Sequence, residues 1–190
     1  MMNNPTLEID AALPDRYREA SPHQLLQAVS LRPGDLILDV GCGKGYFTRA
    51  LAARLGSSGR VLALDVNAAV IKHFKSQGLP AGCFLLLVTA VHFPLRSNSV
   101  DGAVLAFVLH ESRQRQELLQ EVLRVLKPGA WAMVVEWQWD PQRQTVQRWD
   151  RLPRQQTLQL LREAGFNEYA VTYQNDRFYQ IITHKREVAS

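Results

Sequence analysis

Short apolar runs alternate with longer amphipathic stretches along most of the chain. Residues 36–40, Leu-Ile-Leu-Asp-Val, have the length and apolar character of a strand buried on both faces of a parallel sheet. Residues 61–65, 83–88, 100–108 and 130–136 read the same way. Between these runs the apolar period lengthens. Within 45–55, Phe47, Leu51, Ala52 and Leu55 recur at helical spacing, and within 113–126 Leu118, Leu119, Val122, Leu123 and Leu126 fall on one side. Helices are also predicted at 68–77 and at 154–164, the latter closed by Gly165. Residues 14–30 predict one more, with Ser21 as a cap and Pro22 at a first helical position. Two final strands, 169–173 and 178–184, flank Gln174-Asn175-Asp176-Arg177.

Alternating strands and helices imply a mostly parallel sheet with helices on both faces, an α/β doubly wound fold. Seven strands are predicted, and the last two are too close for a helical crossover. One antiparallel strand at the end is therefore expected, which separates the chain from a plain dinucleotide-binding domain. One domain over residues 1–190 is expected, with a core at 14–184. Lys127-Pro128-Gly129 is expected to stop the helix before the fifth strand, and residues 137–153, rich in Gln, Arg and Trp, to form an irregular lid on the substrate side.

Composition narrows the classes. Apolar content is 46% and charged content 21%, ordinary for a globular protein. No apolar run approaches the length of a membrane span, and the N-terminus lacks the pattern of a secretory signal, so no membrane partner and a cytoplasmic location are expected. The two cysteines, Cys42 and Cys83, suit a reducing compartment and have no zinc-site spacing, so no metal is expected. A net charge of +4 permits an anionic partner such as nucleic acid without demanding one.

Candidate chemistry concentrates after the first strand. Gly41, Gly43 and Gly45 lie between a buried strand and a helix, where missing Cβ atoms allow a tight turn and close approach to a ligand at free helix N–H groups. The spacing is G-x-G-x-G. It is neither the G-x-G-x-x-G dinucleotide fingerprint, since residue 46 is Tyr, nor a P-loop, since Lys44 is followed by Gly. Asp65 ends the second strand, where a carboxylate accepts hydrogen bonds from a ribose diol. Its alternative is to cap the next helix, a position that Asn67 fits better.

These residues resemble a family. Residues 36–48, Leu-Ile-Leu-Asp-Val-Gly-Cys-Gly-Lys-Gly-Tyr-Phe-Thr, look like motif I of the class I S-adenosylmethionine-dependent methyltransferases, and Val61-Leu62-Ala63-Leu64-Asp65 like their second motif. Phe93-Pro94-Leu95, Ser99-Val100-Asp101 and Val108-Leu109-His110-Glu111 resemble the approach to strand four and its end. Residues 121–129 match "E-x-x-R-V-L-K-P-G", with Ala130 in place of a following Gly, and Ala164-Gly165-Phe166 matches the "aGF" before the closing strands. The chain is most similar to small methyltransferase type 11 proteins with "HE" after strand four and "EW" after strand five, here Glu136-Trp137.

The resemblance implies a Rossmann-like methyltransferase fold, S-adenosylmethionine as cofactor, and methyl transfer to a small-molecule substrate. Asp39 with Gly41, Cys42, Gly43 and Gly45 would hold the methionine end, Asp65 the ribose, Val66 and the loop Thr89-Ala90-Val91 the adenine, and Phe107 the pocket under the sulfonium. Thr89-Ala90 stands where many members carry an acid that reads the adenine amine. His110, at the active edge after strand four, is the candidate general base, its alternative being to shape the pocket. Glu111 either joins it or caps a helix beginning near Ser112. Trp137, Trp139 and Trp149 with Arg143, Arg148, Arg151 and Arg154 suggest stacking or anion clamping. Trp137 and Arg151 are the expected substrate contacts, against the alternative of a packed lid. Glu117 and Glu121 read as a solvated, ion-paired helix face. Methylation of RNA or protein, or cofactor binding without transfer, are the other readings. The oligomeric state is not encoded in these features.

Overall fold

The computed structural model describes residues 21–89, 91–138 and 151–187. Seven strands form one sheet: β1 (Leu36–Val40), β2 (Arg60–Asp65), β3 (Cys83–Leu87), β4 (Val100–Ala106), β5 (Leu126–Trp137), β6 (Phe166–Gln174) and β7 (Phe178–Lys185). Their order is β3-β2-β1-β4-β5-β7-β6, with β1 to β5 parallel and β7 antiparallel to both neighbours. The expected doubly wound sheet is thus present. Its antiparallel strand lies inside the sheet, between β5 and β6, because the β6–β7 hairpin folds back against β5. Strand order reverses between β1 and β4, and the loops at their carboxyl ends part there to leave a crevice.

Among the described residues, five α-helices flank the sheet: α1 (Pro22–Leu25), α2 (Tyr46–Leu55), α3 (Ala68–Ser76), α4 (Arg115–Val125) and α5 (Arg154–Ala164). On one face, α1 and α2 pack through Leu25, Phe47 and Leu51 on Ile37, Val61, Val104 and Met133, while Phe74 of α3 buries against Cys42 and Ala63. On the other face, Leu119 and Val122 of α4 and Leu161 of α5 meet Leu38, Leu64, Leu105 and Val134. Neighbouring positions of β1 thereby serve opposite cores, as strand periodicity requires.

Three expectations change. The helix expected over 14–30 is, within the described residues, one turn at Pro22–Leu25 followed by a 3-10 turn at Leu26–Ala28. Ser21 does cap it: Ser21 Oγ accepts the Gln24 N–H, and Gln24 Oε1 accepts the Ser21 N–H at 2.8 Å. Lys127-Pro128-Gly129 is not a turn outside the sheet but part of β5, in a bulge where the partners of Val100 and Gly102 are Leu126 and Trp131. The third strand is an edge strand. The described residues between 88 and 99 form no helix on the return to β4, and Phe84 stays 50% exposed and Leu87 56% exposed despite the apolar run. Among the described residues, no helix is long and apolar enough to cross a membrane.

Candidate functional site

A cavity of about 530 Å³ opens at the carboxyl ends of β1, β2 and β4. The loop from β1 to α2 forms its floor. Cys42 N–H donates to the Leu64 carbonyl at 2.9 Å, tying the loop to β2, and Gly45 N–H donates to the Cys42 carbonyl at 2.8 Å, closing the turn. Gly41, Gly43 and Gly45 all have positive φ, at 66°, 53° and 81°. A Cβ on Gly41 would meet Val108 Cγ2 at 2.5 Å, and one on Gly45 would meet the Phe74 ring at 2.1 Å. Gly43 has only the Gly41 carbonyl at 4.0 Å, and it lines the cavity. Two glycines thus serve packing, and the middle one presents open backbone to a ligand.

Two carboxylates flank this loop. Asp39 is 2% exposed, and its Oδ2 accepts the Thr48 hydroxyl at 2.5 Å. Burial pushes its pKa up to about 6, against the lowering effect of the Thr48 hydrogen bonds. Asp65 accepts the Gly43 N–H on Oδ2 at 3.0 Å and the Asn67 N–H on Oδ1 at 2.9 Å. A carboxylate offers about four lone-pair sites, so each oxygen keeps one for a second donor. Asn67, as expected, caps α3 by accepting the Ala69 and Val70 N–H groups. Cys42 also faces the cavity, and desolvation by burial raises its thiol pKa, so it serves as a small neutral wall.

The remaining walls come from residues far apart in sequence. Val66, 60% exposed, stands at the rim with Thr89, while Phe93 and Val88 close the side after β3. Ala90 lies outside the described residues, and Val91 packs on the core beneath the loop instead of lining the cavity. Residues 93–97 are held by α4. Glu121 Oε1 accepts the Phe93 N–H at 2.6 Å, and Arg124 bonds both Glu121 oxygens and the Phe93 and Leu95 carbonyls. Glu121 is 8% exposed, so it is not on the solvated face its helical spacing suggested. The Arg124 guanidinium holds its carboxyl below the usual range.

At the end of β4, Phe107 lines the cavity with a φ of 59°, a left-handed conformation that is strained for a non-glycine residue. Its N–H donates to the Val135 carbonyl at 2.7 Å, and its ring packs on Trp137 at 4.5 Å between centroids. The Arg151 guanidinium stands over Trp137 at 6.0 Å and donates to the Gln138 carbonyl at 3.1 Å. Trp137 and Arg151 are thus brought together behind Phe107, outside the cavity lining. Trp139, Arg143, Arg148 and Trp149 lie outside the described residues. His110 also sits beside the cavity, not in its lining, with Nδ1 2.8 Å from Glu136 Oε2. Glu111 lines the cavity with its side chain 78% exposed and caps no helix, since α4 starts at Arg115.

Residues 38–134 match the family model described as "Methyltransferase domain". That match takes in the end of β1, the glycine loop, Asp65, His110 and most of β5. The chain belongs to the methyltransferase domain family. A ubiquinone/menaquinone biosynthesis C-methyltransferase UbiE of Hydrogenovibrio crunogenus is 30% identical over 115 residues, 58% of this chain and 45% of that protein. The protein of the same name in Legionella pneumophila strain Corby is 34% identical over 110 residues, 56% of this chain and 44% of that protein. The chain therefore matches less than half the length of either relative. In fold, this methyltransferase domain is similar to a SAM-dependent methyltransferase from Aquifex aeolicus, with a TM-score of 0.81, 23% identity, and coverage of 96% of this chain and 99% of that one. It is also similar to the [4+2]-cyclase SpnF, with a TM-score of 0.73, 21% identity, and coverage of 88% and 80%.

The residues present fit S-adenosylmethionine. The buried Asp39 carboxylate suits a cationic amino group, and the two remaining acceptor sites of Asp65 suit a diol. The open backbone at Gly43 leaves room for the chain between them, and Val66 and Val88 give apolar surface for a base. The sequence pointed to no site role for Val88, Phe93 or Glu136, and it read Glu121 only as part of an ion-paired helix face. The E-x-x-R spacing was the available signal for Glu121. Its partner at residue 93 lies 28 positions away and could not be assigned from the sequence.

Proposed function

We propose that the protein transfers a methyl group from S-adenosylmethionine to a small-molecule acceptor. The observation that carries this reading is the pair of carboxylates, Asp39 and Asp65, on either side of an open-backbone glycine loop in one cavity. When bound, the cofactor supplies a methyl group activated on a sulfonium sulfur. Asp39 meets the amino group, Asp65 accepts the ribose hydroxyls, and Val66, Val88 and Thr89 flank the adenine. Phe107 forms the wall nearest the reacting centre, backed by Trp137 and Arg151 on the acceptor side. His110 takes a proton from the acceptor. The names of the UbiE relatives, carbon methyltransferases of quinone biosynthesis, support an aromatic small molecule as acceptor. The two buried, free cysteines support a cytoplasmic location.

Thermal melts with S-adenosylmethionine, S-adenosylhomocysteine and NAD test the cofactor. Stabilisation by both adenosyl ligands is expected. A shift with NAD and none with either adenosyl ligand would overturn the reading. Labelled methyl transfer into a cell extract, divided by size, tests the acceptor, with label expected in the small-molecule fraction. Label in RNA or protein would replace that class, and binding without transfer would make the protein a cofactor-binding module.

A further inference from the structure

Glu136, at the end of β5, is fully buried, with 0% exposure. Its Oε1 accepts the His110 main-chain N–H at 3.2 Å, and its Oε2 accepts the Trp137 main-chain N–H at 3.3 Å. Main-chain N–H groups only donate, so each oxygen already acts as an acceptor. With Glu136 ionised, the contact between Glu136 Oε2 and His110 Nδ1, at 2.8 Å, has the imidazole as donor. The backbone at residue 110 is fixed from the other direction by Arg115, which donates to the Leu109 carbonyl at 2.8 Å and the His110 carbonyl at 3.2 Å. The second ring nitrogen, Nε2, faces Glu111 at 3.7 Å, beyond hydrogen-bond length, and Glu111 lines the cavity.

We propose that Glu136 is a positioning residue that holds His110 as the Nδ1–H tautomer, leaving Nε2 unprotonated on the side of Glu111, at the edge of the cavity. This rests on the methyl-transfer reading above and deepens it: the acceptor arrives carrying a proton, as a phenol or enol hydroxyl does. The acceptor's O–H bond breaks and its proton passes to Nε2. The acceptor's electron pair forms the bond to the methyl carbon as the carbon–sulfur bond breaks, and that pair stays on sulfur. Glu136 then stands beside an imidazolium that it stabilises, the arrangement in which a base is itself oriented by a third group.

The test begins with ¹⁵N-labelled full chain at neutral pH. Long-range ¹H–¹⁵N correlation reads the tautomer of each histidine, and loss of one set in His110→Gln assigns residue 110. A neutral ring protonated at Nδ1 is expected. A ring protonated at Nε2, or a doubly protonated one, overturns the proposal, the latter making the pair a buried ion pair with no base. This reading needs no variant at Glu136 and no acceptor. In Glu136→Gln the amide can donate to Nδ1, so the Nε2–H form should grow. Methyl transfer from labelled S-adenosylmethionine into extract should fall at least about tenfold. S-adenosylhomocysteine affinity should stay within about twofold. Equal loss of affinity and transfer would assign Glu136 to the cofactor pocket and overturn the positioning role. Failure of every adenosyl ligand to bind would instead remove the cofactor reading, whatever the tautomer.

Discussion

Asp39 sets a pH dependence of its own. Its pKa is about 6 in the folded chain against an ordinary value of 3.8, chiefly because burial disfavours the charge. A raised pKa means that its contribution to stability is complete below the unfolded value and is lost as pH rises through about 6. The ligand-free protein should therefore lose stability from this group between roughly pH 4 and pH 7, by about 3 kcal/mol at most. Asp39→Asn should remove that decline in melts across pH. Binding has the opposite sign, because a cationic amino group needs the ionised carboxylate. Affinity for S-adenosylhomocysteine should rise on the order of tenfold from pH 5 to pH 7 in calorimetry, and this rise should vanish in Asp39→Asn. Asp65→Ala removes the acceptors for the ribose and a tie to Gly43, and should abolish the thermal shift with both adenosyl ligands.

At the scale of elements, α4 does more than cover the sheet. Through Glu121 and Arg124 it holds residues 93–97, and Phe93 of that segment lines the cavity. Glu121→Gln should cost about 1.5–3 kcal/mol, the range for a hydrogen bond to a charged group, and weaken cofactor binding several-fold through the loop. Chemical denaturation and titration measure the two effects. The start of α2 is equally constrained. Gly45→Ala places a Cβ into Phe74 at a φ of 81° and should destabilise by about 2 kcal/mol or more. Helical periodicity located α4, and apolar runs located β1 and β2 to within a residue. The same patterns misjudged Glu121, because two charges three residues apart look alike whether they face water or a loop that folds over them. They also misjudged the start of β5, because Pro128 and Gly129 signal a turn and only pairing with β4 absorbs them in a bulge.

For the whole molecule, a ligand that binds only the folded state adds about 2.7 kcal/mol at one hundred times its Kd. A chain of 190 residues should then melt roughly 5–11 °C higher with S-adenosylmethionine, as scanning calorimetry would measure. A uniform shift is expected because the cavity draws on β1, β2, β4 and α4, so the site cannot open without loosening the sheet. The amino-acid sequence by itself determined most of the elements, the glycine loop and the two carboxylates near the ends of β1 and β2, because these depend on local spacing and residue type. Tertiary structure alone decided which side chains share the site. Glu136 reaches His110 across 26 residues because β4 and β5 are neighbours in the sheet, and β7 lies inside the sheet because a hairpin turns back. Such pairings arise from strand order, which is non-local and leaves no period in the chain.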